Sequence, residues 1–266
     1  MQKFEFDLSD RGSGKTLLML PGSYATPAAW KGIVGDLTGS YRMLSTSLPG
    51  YGTTPEVRQK ESPDVDPMIE FVGQVVDSIG EPVHVVGHSW GAHLALGALL
   101  RGRIAPLSLI AFEANPLFAR PADQPFEWRP ELDAMVEKFK AALAADDPSA
   151  AAIIIDFYSR EGTFDAMPDS VRAYCQATAP TNLLDWYSAS SFTPAFAEFA
   201  QVRVPVTLVR GGATPRAIVD VTDQLGANLP RARQRIVEGA DHFLISTHTS
   251  QCAALIEEHI EYATSR

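Results

Sequence analysis

Cysteine is nearly missing from this 266-residue chain, with Cys175 and Cys252 the only two. Two distant thiols in a chain of this size argue against a disulfide framework and are too few for a zinc site. They read as reduced, buried side chains. A basic surplus is missing as well. Lys and Arg total 22 against 32 Asp and Glu, giving a formal net charge of −10 spread along the whole length. Nucleic acid and anionic membrane both need a basic face, so neither is expected as a partner. No apolar run reaches membrane-spanning length, and the N-terminal stretch lacks the unbroken apolar core of a secretory signal. A cytoplasmic protein is the resulting expectation. What remains is ordinary. Hydrophobic content of 45% and charged content of 20% describe a folded globular chain, long enough for one domain with an insertion or for two.

Apolar runs alternate with helical patterns along most of the sequence. Residues 1–8 alternate apolar and polar side chains as a half-buried strand does, and 16–20 form a short apolar strand closed by Pro21-Gly22. Trp30, Ile33, Val34 and Leu37 follow at helical spacing, and 42–48 reads as a further strand closed by Pro49-Gly50-Tyr51-Gly52. Met68, Phe71, Val72, Val75, Val76 and Ile79 predict an amphipathic helix. Strands are expected at 82–86, 107–112, 205–209 and 234–237, and helices at 92–100, 218–225 and 250–262. Such alternation implies a mainly parallel sheet covered on both faces, an α/β fold. One interruption, residues 115–200, reads as helical and holds 13 of the 24 aromatic residues. A helical layer needs large side chains for its own core. A surplus of this size also fits an apolar pocket beneath a lid, with Trp128 and Trp186 as candidate lining residues. The expected organisation is a core of residues 1–114 and 201–266 with a helical cap at 115–200.

Gly87-His88-Ser89-Trp90-Gly91 carries the chemistry. It stands between a buried strand and a helix rich in small and apolar residues, the setting that holds a serine on a sharp turn with its hydroxyl projecting outward. A serine needs a base. Of six histidines, His84, His88, His93 and His259 fall within strands, the turn or helices and read as packing or surface residues, and His248 as a solvated one. His242 follows a strand in Gly239-Ala240-Asp241-His242, at the sheet edge where Ser89 emerges, and is the candidate general base.

Elbow, chain order and the closing Gly-x-x-His loop resemble the α/β-hydrolase superfamily over essentially the whole length. The resemblance implies an eight-stranded, mostly parallel sheet with a helical cap, and an oxyanion hole built from the backbone N–H groups of Ser23 and Trp90. Pro21-Gly22-Ser23 stands where the family has His-Gly-x, and Tyr24 beside it is a candidate donor or substrate contact. Ser47 stands where the family's Pro-Gly-x-Gly loop has aspartate.

The third departure concerns the acid. The family's usual Gly-x-x-Asp segment reads Gly211-Gly212-Ala213-Thr214 here, with no carboxylate before Asp220. Glu113, directly after the strand ending at Phe112, is the best candidate, matching the position some superfamily members use. The alternatives are Asp220 or Asp223, a dyad without acid, or a Glu113 that merely holds loop backbone or pairs with Arg210. Serine at the elbow argues against dehalogenase or epoxide-hydrolase chemistry, both of which use aspartate there in this superfamily. The leading expectation is a cofactor-free, metal-free hydrolase that cleaves an ester-type bond (carboxylic ester, thioester or lactone) of a small to medium apolar substrate through an acyl-enzyme. Carbon–carbon bond cleavage on the same serine and histidine, or a non-catalytic binding protein, are the alternatives.

Overall fold

A computed structural model describes residues 3–59 and 63–265. Among them lie seven strands: β1 (Ser9–Gly12), β2 (Lys15–Leu20), β3 (Tyr41–Ser45), β4 (His84–His88), β5 (Ser108–Phe112), β6 (Val206–Gly211) and β7 (Ala232–Val237). They form one sheet in the order β1-β3-β2-β4-β5-β6-β7, parallel throughout except for β1 against β3. The expectation of eight strands is therefore corrected to seven. The N-terminal strand expected over residues 1–8 is not found over its described part either. Met1 and Gln2 lie outside the described residues, and 3–8 form no strand. Side chains anchor that segment instead. Phe4 and Phe6 pack on Phe71, and Asp7 accepts hydrogen bonds from the backbone N–H and hydroxyl of Ser47 and from Thr46, Thr53 and Thr54. Burial works against the Asp7 charge, yet the hydrogen bonds from Ser47, Thr46 and Thr53 hold its carboxyl below the usual range. Asp7 thus supplies the carboxylate that the loop lacks at Ser47.

Helices α1 (Lys31–Asp36), α8 (Leu244–Thr247) and α9 (Thr249–Thr264) cover one face of the sheet; α2 (Asp66–Ile79), α3 (Trp90–Leu100) and α7 (Arg216–Asn228) cover the other. α2 buries Met68, Phe71, Val72 and Val75 at the spacing that the sequence pattern predicts, each worth about 1.5–3 kcal/mol when removed from water. α3 is buried from Trp90 to Ala98, as a helix apolar on every face apart from His93 must be. Between β5 and β6 the chain leaves the sheet to form α4 (Arg129–Ala144), α5 (Ala150–Phe157), α6 (Asp169–Ser191) and a 3-10 turn, Phe196–Gln201. No helix among the described residues is long and apolar enough to cross a membrane.

The sheet order fixes where a site can form. From β2 the chain moves outward to β3, and from β4 it moves the other way to β5, so β2 and β4 flank a topological switch point. Ligands of open parallel sheets bind outside the carboxyl ends of strands at such a point. Leu20 of β2 pairs with Gly87 of β4, and His88 with Phe112 of β5. The segments beginning at Pro21, Ser89 and Glu113 therefore leave adjacent strand ends together.

Candidate active site

Ser89 is held at φ 50°, ψ −118° between the end of β4 and the start of α3. Its own amide donates to the Phe112 carbonyl at 2.9 Å, which fastens the turn to β5. The glycines around it serve close approach. A Cβ on Gly87 would lie 2.7 Å from the Ala92 Cα, and one on Gly91 would lie 2.4 Å from the carbonyl oxygens of both Leu20 and Pro21. The left-handed conformation falls on the serine itself, which stores strain where the hydroxyl must project. Tyr24 at φ 60° and Glu113 at φ 51° share it, so three of the four described non-glycine residues with positive φ surround this one place.

His242 Nε2 lies 2.9 Å from Ser89 Oγ, and His242 Nδ1 lies 2.9 Å from Glu113 Oε2. The network assigns the tautomer. Glu113, fully buried, accepts from the Gly211 N–H at 2.6 Å and the Thr214 hydroxyl at 2.6 Å, so Nδ1 carries the proton and donates to the carboxylate. Nε2 is then an acceptor, facing the serine O–H. The Asn115 amide donates to Ser89 Oγ at 3.3 Å and to the Tyr158 hydroxyl at 3.2 Å, and the Tyr158 ring stacks on His242 at 4.1 Å. Glu113 does hold loop backbone, through Gly211. Arg210 turns instead to the Gly211 carbonyl. Asp220 is occupied by Trp128 and Arg216, away from His242.

The other histidines are structural in their contacts. His88 is buried beneath the site and donates from Nε2 to the His242 carbonyl at 2.9 Å; burial, with His242 adjacent, pushes it down to about 3, so it stays neutral. Burial likewise takes His93 down to about 4. His84 and His259 share the Ser108 hydroxyl at the far end of the sheet. Cys175 and Cys252 are buried and unbridged, and burial raises their thiols to about 11 and about 12.

Ser23, Tyr24, Ser89, Trp90, Asn115, Phe118, Tyr158, Asn182, Asp185, Trp186 and His242 line one cavity between the sheet edge and the helices of the insertion. Its volume is about 70 Å³, below the few hundred Å³ usual for small-molecule sites, so it is a narrow cavity. Trp128 is not among its walls. It stacks on Phe126 at 4.7 Å and donates to Asp220, which turns it toward α7 and corrects its expected place in the pocket. Gly22 brings the loop after β2 against the elbow, where an added Cβ would lie 3.0 Å from the Ser89 Cβ. Trp90, first residue of α3, has an N–H with no partner one turn back within the helix.

Asp185 escapes sequence reasoning. It sits on α6, and its Oδ2 accepts from the hydroxyls of Ser23 and Tyr51, each at 2.6 Å, while Oδ1 accepts from Arg58 at 2.7 Å. Arg58, buried, also forks onto Glu56 at 2.8 and 2.7 Å. Burial raises the Asp185 carboxyl against the lowering effect of Arg58. The network ties the loops after β2 and β3 to the insertion. Its only sequence signal is an acid set between Leu184 and Trp186 on a helix face rich in aromatics.

The sequence profile of the alpha/beta hydrolase family matches residues 17–257. The chain belongs to the alpha/beta hydrolase family. A pimeloyl-[acyl-carrier protein] methyl ester esterase of Nitrosomonas europaea is 26% identical over 229 residues, covering 84% of this chain and 86% of that one. Among solved structures, bromoperoxidase from Bacillus anthracis superposes with a TM-score of 0.78 at 18% identity, over 97% of this chain and 96% of that one. Esterase EaEST from Exiguobacterium antarcticum gives 0.76 at 18%, over 98% of this chain. The alpha/beta hydrolase fold evidently accommodates differently named activities, so chemistry must be argued from the site. No cluster of three or more metal-ligating side chains occurs among the described residues.

Proposed function

We propose that this alpha/beta hydrolase cleaves a carboxylic-ester bond of a small molecule through an acyl-enzyme on Ser89. The observation that carries the reading is the hydrogen-bond chain Ser89–His242–Glu113, 2.9 Å at each link. Ester hydrolysis by the similarly sized relative from Nitrosomonas europaea supports the reaction class, as its name states. The serine O–H already donates toward Nε2, so His242 takes its proton as Oγ attacks the carbonyl carbon. Negative charge then gathers on the carbonyl oxygen, facing the backbone N–H groups of Ser23 and Trp90. Each such donor is worth about 100- to 1000-fold in rate. The imidazolium returns its proton to the departing alkoxide, and Glu113 stabilises that cation at Nδ1. Water, activated by the same histidine, releases the acid. None of these steps calls for a metal or organic cofactor.

The insertion acts here as a cap that keeps bulk water from the acyl-enzyme. It carries 13 acidic and six basic residues, which opposes an anionic macromolecule as partner and favours a free small ester as substrate. The test is a panel of small esters with diketones beside them. Ester turnover, with a burst of released alcohol and none in Ser89→Ala, is the expected result. Diketone cleavage alone would move the same residues to carbon–carbon chemistry, and tight binding without turnover would make this a binding protein.

A further inference from the structure

The walls of the cavity that holds the reacting serine carry polar atoms without a hydrogen-bond partner among the described residues, Asn115 Oδ1 beside the serine being one. Asn182, only 3% exposed, leaves its Oδ1 without a hydrogen-bond partner, and the Tyr24 hydroxyl beside the cavity is likewise buried and unpartnered. Asn182 does not stand there by chance of register. With Asp185, Trp186 and Ala189 it forms the stripe of α6 that faces the cavity at three- and four-residue spacing. Tyr24 is held in the left-handed region by the loop whose Ser23 is tied to Asp185, so its ring is fixed rather than free to turn toward solvent. Buried polar groups left unpaired cost stability, and such costs persist where a ligand removes them. The same wall is electrostatically biased. Among the described residues, Asp185 and Glu56 both pair with the one cation of Arg58, which biases that side of the cavity toward negative charge.

Resting on the serine-esterase reading, we infer that the preferred substrate is an ester bearing a neutral hydroxyl group remote from the scissile bond, received by Asn182 and Tyr24. A hydroxyl is the group that both donates to a carbonyl oxygen and accepts from a phenol, so it satisfies both atoms and tolerates either orientation of the amide. A plain alkyl chain leaves them unpaired, and a carboxylate meets the negative wall. A site built to hydrogen-bond a substrate hydroxyl rejects the analogue lacking it far more strongly than an apolar pocket rejects a lost methylene.

Two matched ester sets test this. The first is methyl hexanoate, methyl ω-hydroxyhexanoate and monomethyl adipate; the second is hexyl acetate and ω-hydroxyhexyl acetate, which places the hydroxyl on the alcohol side. In at least one set the hydroxylated ester is expected to exceed the plain ester in kcat/KM by about tenfold or more, the worth of one well-made hydrogen bond. Monomethyl adipate should fall below methyl hexanoate. In Asn182→Leu and, separately, Tyr24→Phe, the ratio of hydroxylated to plain ester should collapse toward one, whatever happens to the absolute rates. Plain esters equal to or better than their hydroxylated partners in both sets would overturn the inference, as would an unchanged ratio in both variants. Failure of the underlying reading looks different, because no ester would then be hydrolysed and a fluorophosphonate would not label Ser89.

Discussion

Replacing Glu113 by glutamine changes one oxygen to an NH2 group at a side chain whose two oxygens serve three donors. Gly211 N–H can only donate, so the amide oxygen must stay on it at the 2.6 Å contact. The new NH2 then faces Thr214 and His242 Nδ1. Thr214 can rotate its hydroxyl to accept. His242 can accept only by giving up the proton on Nδ1, which moves it to Nε2 and turns that nitrogen into a donor facing the serine O–H. The variant therefore keeps its packing and selects the tautomer that cannot act as base. Loss of the correct tautomer in a serine hydrolase costs about 10,000-fold in kcat, near 5.5 kcal/mol of barrier. Fold stability changes by about 1 kcal/mol, one hydrogen bond weakened rather than a charge stranded. Steady-state hydrolysis of a p-nitrophenyl ester beside a thermal melt reads both quantities. A glutamine variant with a wild-type melt and kcat within tenfold of wild type would refute the reasoning and remove Glu113 from the proton path.

Arg58→Ala strands the Asp185 carboxylate in the interior, where an uncompensated charge costs about 3–5 kcal/mol. With roughly 2–4 °C per kcal/mol for a chain of this size, a melting temperature lower by about 10 °C is expected, partly recovered by adding Asp185→Asn; no shift would mean the network is worth little. Gly91→Ala drives a Cβ into the carbonyls of Leu20 and Pro21, so kcat should fall by about 100-fold through displacement of the loop bearing the Ser23 N–H, and a wild-type kcat would contradict that placement. Acid should destabilise the fold through His88, His93 and His259, held neutral with pKa values near 3 to 4 by burial. The folded state binds fewer protons than the unfolded one, so stability falls as pH drops below about 6.5, by about 1.4 kcal/mol per pH unit for each histidine. Urea titrations at several pH values between 6.5 and 5 should show a shallower slope for His93→Gln; an unchanged slope would contradict a neutral, buried His93.

The parts of the fold legible in the sequence are those whose signal is local. β2, β4, β5 and β6 read as short apolar runs because both of their faces are covered, and α2 reads from its apolar stripe. The serine turn is legible for the same reason, since glycine is demanded at positions four residues apart by backbone contacts within a few ångströms. Glu113 is legible from position alone, the residue after a strand whose end lies beside Ser89, and its hydrogen bond to His242 follows from sheet order. Residues 3–8 mislead because their alternation is real while their backbone is anchored by Phe4, Phe6 and Asp7 rather than by a ladder. Trp128 misleads because aromatic content marks the insertion as a whole and says nothing of which ring faces the cavity. Asp185 and Asn182 are illegible for a further reason. The partners of Asp185 lie more than a hundred residues away, Asn182 Oδ1 has none among the described residues, and nothing in the local pattern of α6 marks an inward polar face.

The central claim, a serine activated by His242 and Glu113, is tested most directly by treating the folded protein with a fluorophosphonate and mapping the adduct by mass spectrometry. The account requires one phosphonyl group on Ser89, lost in Ser89→Ala and formed far more slowly in His242→Ala. A folded protein that remains unlabelled, or one labelled at another residue such as Ser23, would contradict it.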